Sequence, residues 1–174
     1  MRSAIKIICS TTLGITLGVF ALAPLAEAAS FSVAPAVIDL KGKARDILKA
    51  SLSLQNNSNH FVELYPVVRN INIENGEQVF LDPSRAEHAS SLANWIDFSR
   101  AAVELKPGAK KTIDFLINVN LRAPPGSYHA LISFPEGSRR DEAEARVSGA
   151  PSVTVNVEVQ DDIKERLQVA TFVP

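Results

Sequence analysis

Between Trp95 and Phe134 the chain reads WIDFSRAAVELKPGAKKTIDFLINVNLRAPPGSYHALISF, and one side of every segment in it is apolar. Val103 and Leu105, then Ile113, Phe115, Ile117 and Val119, then Tyr128, Ala130, Ile132 and Phe134 recur at every second residue. That period belongs to half-buried antiparallel strands. Pro107-Gly108 and Pro124-Pro125-Gly126 separate the runs as turns. Strands of this kind bury their apolar faces by closing a sandwich or a barrel.

The rest of the chain follows the same pattern. Phe31 to Leu40 reads as a first strand interrupted by Pro35. Proline cannot donate to a ladder, so the strand should break or switch sheets there. Leu48 to Gln55 alternates cleanly and ends in the turn residues Asn56-Asn57-Ser58-Asn59. Phe61 to Ile73 is a longer extended run containing Pro66, and Gln78 to Leu81 follows an Asn75-Gly76 turn. The stretch from Asp82 to Asn94 has no alternation and predicts one short helix on a loop. Residues 135–150 mix charges of both signs with glycine and predict a mobile surface loop. Pro151 to Val159 then alternates again, with Val153, Val155, Val157 and Val159 on one face. About seven strands at this spacing predict an all-β, immunoglobulin-like antiparallel sandwich.

Arg2 and Lys6 precede an apolar run from Ile7 to Ala23, followed by Pro24 and the small-residue pattern Ala26-Glu27-Ala28. This is the pattern of a secretory signal peptide over residues 1–28. Cleavage after Ala28 leaves a chain that begins at Ala29, with the sandwich over 29–160. Cys9 lacks the small residue that a lipid-attachment cysteine needs before it, and its removal leaves no cysteine. Packing alone must then stabilise the domain, which is large enough to hold a single core. The mature chain has 16 basic and 18 acidic residues, a net charge of −2, which offers no field for nucleic acid or anionic lipid. The membrane is expected to matter only through the signal peptide before cleavage. Residues 161–174 read as a linker and the start of a possible second β-domain, because Ile163 to Pro174 forms one more strand-like run with no partner left.

Several segments together resemble a group of secreted bacterial immunoglobulin-like domains. They are Phe31-Ser-Val-Ala-Pro35, Leu54-Gln-Asn-Asn-Ser58, Tyr65-Pro66-Val67, Trp95-Ile96, Val103-x-Leu105-x-Pro107-Gly108 and Pro124-Pro125-Gly126-x-Tyr128-x-Ala130-x-Ile132-x-Phe134. The chain is similar over residues 31–173 to the N-terminal domain of periplasmic pilus-assembly chaperones and to WxL-interacting surface proteins. The resemblance implies a periplasmic or extracellular protein that binds other proteins. In usher-type chaperones it also implies an arginine near the first strand and a lysine on the last, which hold a subunit's terminal carboxylate. Neither Phe31 to Leu40 nor Pro151 to Gln160 contains a basic residue.

No constellation of catalytic residues stands out, and no cofactor or metal is expected. His60, His88 and His129 lack the i, i+3 or i, i+4 spacing that places two ligands on one ion. Asp161-Asp162 lacks a glycine-punctuated calcium loop, and Ser127 to His129 lacks a nucleophile elbow. Trp95 is expected to fill the core near Tyr65 or Phe115. Tyr128 is expected to tie a corner by bonding to upstream backbone. The valine face of Val153, Val155, Val157 and Val159 carries a single charge, Glu158, and predicts an exposed edge that pairs with a strand from a protein partner, a surface subunit or a second copy. Arg139 and Arg140 in the preceding loop are candidate partner contacts. These features predict a non-enzymatic exported module, chaperone-like or part of an envelope assembly, acting by strand addition. The alternative is a structural wall-associated domain that docks through its outer sheet face.

Overall fold

The computed structural model describes residues 30–161. The expected signal peptide and the strand-like run after Asp161 lie outside the described residues. Among the described residues eleven strands form two main sheets and a small ribbon. The four-stranded sheet runs β1 (Phe31–Ala34), β3 (Ile47–Asn56), β9 (Lys110–Asn118), β7 (Ile96–Asp97). The five-stranded sheet runs β2 (Val37–Gly42), β11 (Ser152–Val159), β10 (Gly126–Ser133), β5 (Val67–Glu74), β6 (Glu77–Leu81). The ribbon pairs β4 (Val62–Leu64) with β8 (Val103–Leu105). All pairings are antiparallel except β2 with β11. The architecture is the expected all-β immunoglobulin-like sandwich.

More strands appear than the seven expected, and two of the additional ones arise where prolines cut long runs as the chain changes partner. β1 pairs with β3 in one sheet, and two residues later β2 pairs with β11 in the other. Pro35 stands at that switch and is preceded by a cis peptide bond. Pro66 divides β4, which pairs with β8, from β5, which pairs with β10 and β6. At the end of β3 the buried Asn56 donates to the carbonyls of His60, Leu105 and Lys106 and accepts from Ser58. One side chain thus holds the turn after β3 against β8.

The inward residues of both sheets share one apolar core. Leu52, Leu54, Phe115 and Ile117 contribute from one sheet, and Ala130, Ile132, Val153, Val155 and Val157 from the other. Phe98 links them, its ring 5.4 Å from that of Phe115 and 6.0 Å from that of Phe134. The alternation seen in the sequence marks these positions correctly.

Two segments depart from expectation. Trp95 does not head a strand; it ends the short helix α1 (Leu92–Trp95), and the strand starts at Ile96. Hydrogen bonds from distant residues fix that turn. Ser91 Oγ accepts from the Asn94 N–H, and the buried Asn70 donates to Ser91 Oγ while accepting from the Ala93 N–H. The expected helix between Asp82 and Asn94 appears as two 3₁₀ turns, Pro83–Arg85 and His88–Ser90, the first capped by Asp82. Residues 135–150, expected as a mobile surface loop, carry the helix α2 (Arg140–Ala145). Ala143 is buried, and Gly137 lies so close beneath it that a β-carbon there would approach the Ala143 nitrogen to 3.0 Å.

Candidate protein-binding surface

The valine face is core, not edge. Val153, Val155, Val157 and Val159 are 0–3% exposed. β11 is flanked along its length by β10 on one side and, from Thr154 to Val159, by β2 on the other. The expectation of an exposed edge fails because the first strand crosses at Pro35 and covers it. A one-faced valine ladder with few charges describes a central strand of a sandwich as well as an edge, and only the pairing partner distinguishes the two.

Trp95 and Tyr128 have structural places. Trp95 is 2% exposed, and its Nε1 donates to the His88 carbonyl at 2.8 Å. Its ring partner is Tyr128, at 4.6 Å between centroids, rather than Tyr65 or Phe115. The Tyr128 hydroxyl donates to the Pro124 carbonyl at 2.7 Å, the corner tie expected from Pro-Pro-Gly-x-Tyr. Burial raises the pKa of this hydroxyl above its ordinary value.

Arg139 and Arg140 divide in role. Arg139 is exposed and pairs with Asp141 at 2.6 Å. Arg140 holds α2 to the sandwich: it bonds Glu144 at 3.0 Å, donates to the carbonyls of Pro66 and Arg100, and lies 5.4 Å from the centre of the Tyr65 ring. The Tyr65 hydroxyl donates to Glu63, which raises its pKa. With these bonds in place, Arg140 lines a cleft of about 690 Å³ together with Arg69, Arg100, Asp82 and Glu144.

The outer face of the five-stranded sheet separates into two zones. Over β2, β11 and β10 it carries a row of mutually paired polar side chains beside the exposed Val37. Asn156 donates to Asp39 at 2.7 Å and shares a 2.8 Å hydrogen bond with His129, and Lys41 pairs with Glu158 at 2.7 Å. Over β5 and β6 it is apolar. Ile73 is 70% exposed and Phe80 41%, and the Arg69 guanidinium lies 4.9 Å from the Phe80 ring centre. Ile71 stands directly opposite Phe80 in the register.

Among the described residues β6 is the edge strand on that side. Asn75 and Gly76 both have positive φ, 54° and 84°, the signature of a two-residue type I′ hairpin. Glu74 and Glu77 flank that turn as a hydrogen-bonded pair, and parity along an antiparallel ladder does the rest. The N–H and C=O groups of Glu77, Val79 and Leu81 point at β5, while those of Gln78 and Phe80 point away from the sheet. The Asn75-Gly76 turn was legible in the sequence. The edge was not, because nothing local to residues 77–81 shows which strand ends a sheet.

This sandwich is similar to several solved domains. A PapD-like domain of human CEP192 superimposes with a TM-score of 0.51 at 8% identity, covering 94% of this chain and 99% of that one. The chaperone CsuC, from the chaperone-usher Csu pili of Acinetobacter baumannii and solved with a tip adhesion subunit, gives 0.51 at 16% identity over 76% of this chain. The fimbrial chaperone CfaA gives the same TM-score and identity over 77% of this chain. The likeness is one of fold, an immunoglobulin-like β-sandwich. The chain spans 58% of the CsuC complex chain and 59% of the CfaA chain. No family model and no curated protein matches the sequence. No helix among the described residues is long and apolar enough to cross a membrane.

Proposed function

We propose that this chain is a non-enzymatic protein-binding module of the cell envelope, chaperone-like or part of a surface assembly, that takes an extended segment of a protein partner as an added strand. The observation that carries this reading is β6. It ends the five-stranded sheet beside exposed Phe80 and Ile73, and it contains neither lysine nor proline. Edges are normally blunted by such residues, and an unblunted one offers main-chain bonds for affinity and side-chain pockets for selectivity. The sandwich fold shared with a chaperone solved in complex with an adhesion subunit supports a protein as partner. Export to the periplasm or the cell surface rests on the signal-peptide pattern of residues 1–28.

A photo-crosslinking amino acid at Gln78 tests the reading in cells. The expected result is a crosslink to an extended segment of one identified envelope protein, lost when crosslinking is repeated from the inward-facing Val79. Absence of any crosslink from Gln78 rejects strand addition at β6. The exposed Ile73 and Phe80 also favour a second reading, a wall-associated domain docking through its outer face. In that case the crosslinks come from Ile71 and Ile73, and the protein cofractionates with peptidoglycan.

A further inference from the structure

The two ends of the β5–β6 hairpin carry opposite charge. At the turn end stand Glu74 and Glu77. At the open end Arg85 and Arg100 act on Asp82 and Arg69 lies over the Phe80 ring, with Glu87 further along the chain. A two-fold axis through an edge strand pairs that strand with itself antiparallel, which brings each turn end against the other copy's open end. We propose that β6 pairs with β6 of a second copy of this chain, joining two five-stranded sheets into one continuous sheet. This inference rests on the reading of β6 as a binding edge and names one occupant for it.

The register follows from the backbone. Centring the axis on Val79 sets Gln78 opposite Phe80 of the other copy, and these are the two residues whose N–H and C=O groups face outward. Outward groups meet outward groups, giving closely spaced pairs of the kind an antiparallel ladder requires. In the same register Glu77 faces Leu81 of the second copy, the residue that leads into Asp82 and Arg85 of that copy. No glutamate is set opposite another. On the outer face Ile71 and Phe80 of one copy continue across Gln78 into Ile73 of the next, so the exposed apolar zones merge. The contact is isologous and closes on itself, which limits it to a dimer.

Sedimentation velocity on the exported chain, from low to high micromolar concentration at low salt, measures this directly. A monomer–dimer equilibrium is expected. Gln78→Pro removes an outward N–H without taking a bond from β5, and should weaken dimerisation about tenfold or more. Glu77→Arg should weaken it as well, and adding Arg85→Glu to that variant should restore it. Near-UV circular dichroism of Trp95 checks that each variant is folded. A chain that stays monomeric throughout, or a dimer indifferent to both Gln78→Pro and Glu77→Arg, overturns the proposal. If the chain is monomeric while Gln78→Pro still removes partner crosslinks formed from a photo-crosslinking residue at Phe80, the second copy is wrong and the binding edge stands. If Gln78→Pro changes neither, both fail.

Discussion

The rings of Trp95 and Tyr128 meet at 4.6 Å between centroids and an angle of 56°, and each carries its polar atom to a backbone carbonyl, Trp95 to His88 and Tyr128 to Pro124. The pair therefore couples three places that have no strand ladder in common: the 3₁₀ turn at His88–Ser90, the helix α1 and the proline-rich corner before β10. Aromatic packing supplies the apolar contact and the two hydrogen bonds set its geometry.

Trp95→Ala should cost roughly 3–5 kcal/mol, the range for removing a large buried aromatic. Trp95→Phe keeps much of the apolar contact but leaves the His88 carbonyl without its donor, and should cost less than Trp95→Ala. Urea unfolding followed by far-UV circular dichroism gives both values. A cost for Trp95→Ala under about 1 kcal/mol would contradict its place in the core.

Tyr128→Phe isolates the corner bond and should cost about 0.5–1.5 kcal/mol at neutral pH. The pH dependence has a definite sign. Burial favours the neutral phenol, so its folded pKa lies above the unfolded value. Stability from this group is fully present below the unfolded value of about 10 and declines as pH rises through the higher folded value. The phenylalanine variant has no such proton to lose. The stability gap between wild type and variant should thus narrow in alkaline solution, and a gap that widens there would show the phenolate to be the favoured form.

Asn70 is the polar pin of the core. It is 4% exposed, donates to Ser91 Oγ at 2.8 Å and accepts from the Ala93 N–H at 2.9 Å. Asn70→Ala leaves the buried Ala93 N–H unpaired, at a cost of about 1–3 kcal/mol. Because α1 depends on that bond, amide exchange at Ala93 and Asn94 should quicken more than exchange in β9. Uniform acceleration across the sheets would mean that Asn70 acts on the whole domain instead.

Period-two alternation located the inward faces of β3, β9, β10 and β11 because burial on one side of a pleated strand leaves that mark whatever the neighbours are. Proline at 35 and the Pro-Pro-Gly-x-Tyr corner were readable for the same reason, since each acts through a local backbone constraint. What escaped depends on distant contacts. The turn that carries Trp95 is set by Asn70, more than twenty residues upstream. The ordering of residues 135–150 into α2 depends on Arg140 reaching the Pro66 and Arg100 carbonyls. Likewise, neither the covered edge of β11 nor the open edge of β6 is written in its own residues. Strand order decides both, and strand order is a property of the whole chain.

That distinction gives the sharpest test of β11. Were it a free edge, Val155→Lys and Val157→Lys would leave the domain folded, with each lysine turned toward water. In the sandwich both valines are 0–1% exposed and β2 lies alongside. A lysine at either site must carry its ammonium into the core, where no partner compensates its lost hydration. The double variant should fail to fold, which a collapsed near-UV signal and loss of the cooperative unfolding transition would reveal. Thr154→Lys, one residue away on the outer face, supplies the control. Its side chain has water to reach, so the change should stay within about 0.5 kcal/mol of wild type. A double variant that folds as well as Thr154→Lys would mean that Val155 and Val157 do not face the core between the two sheets.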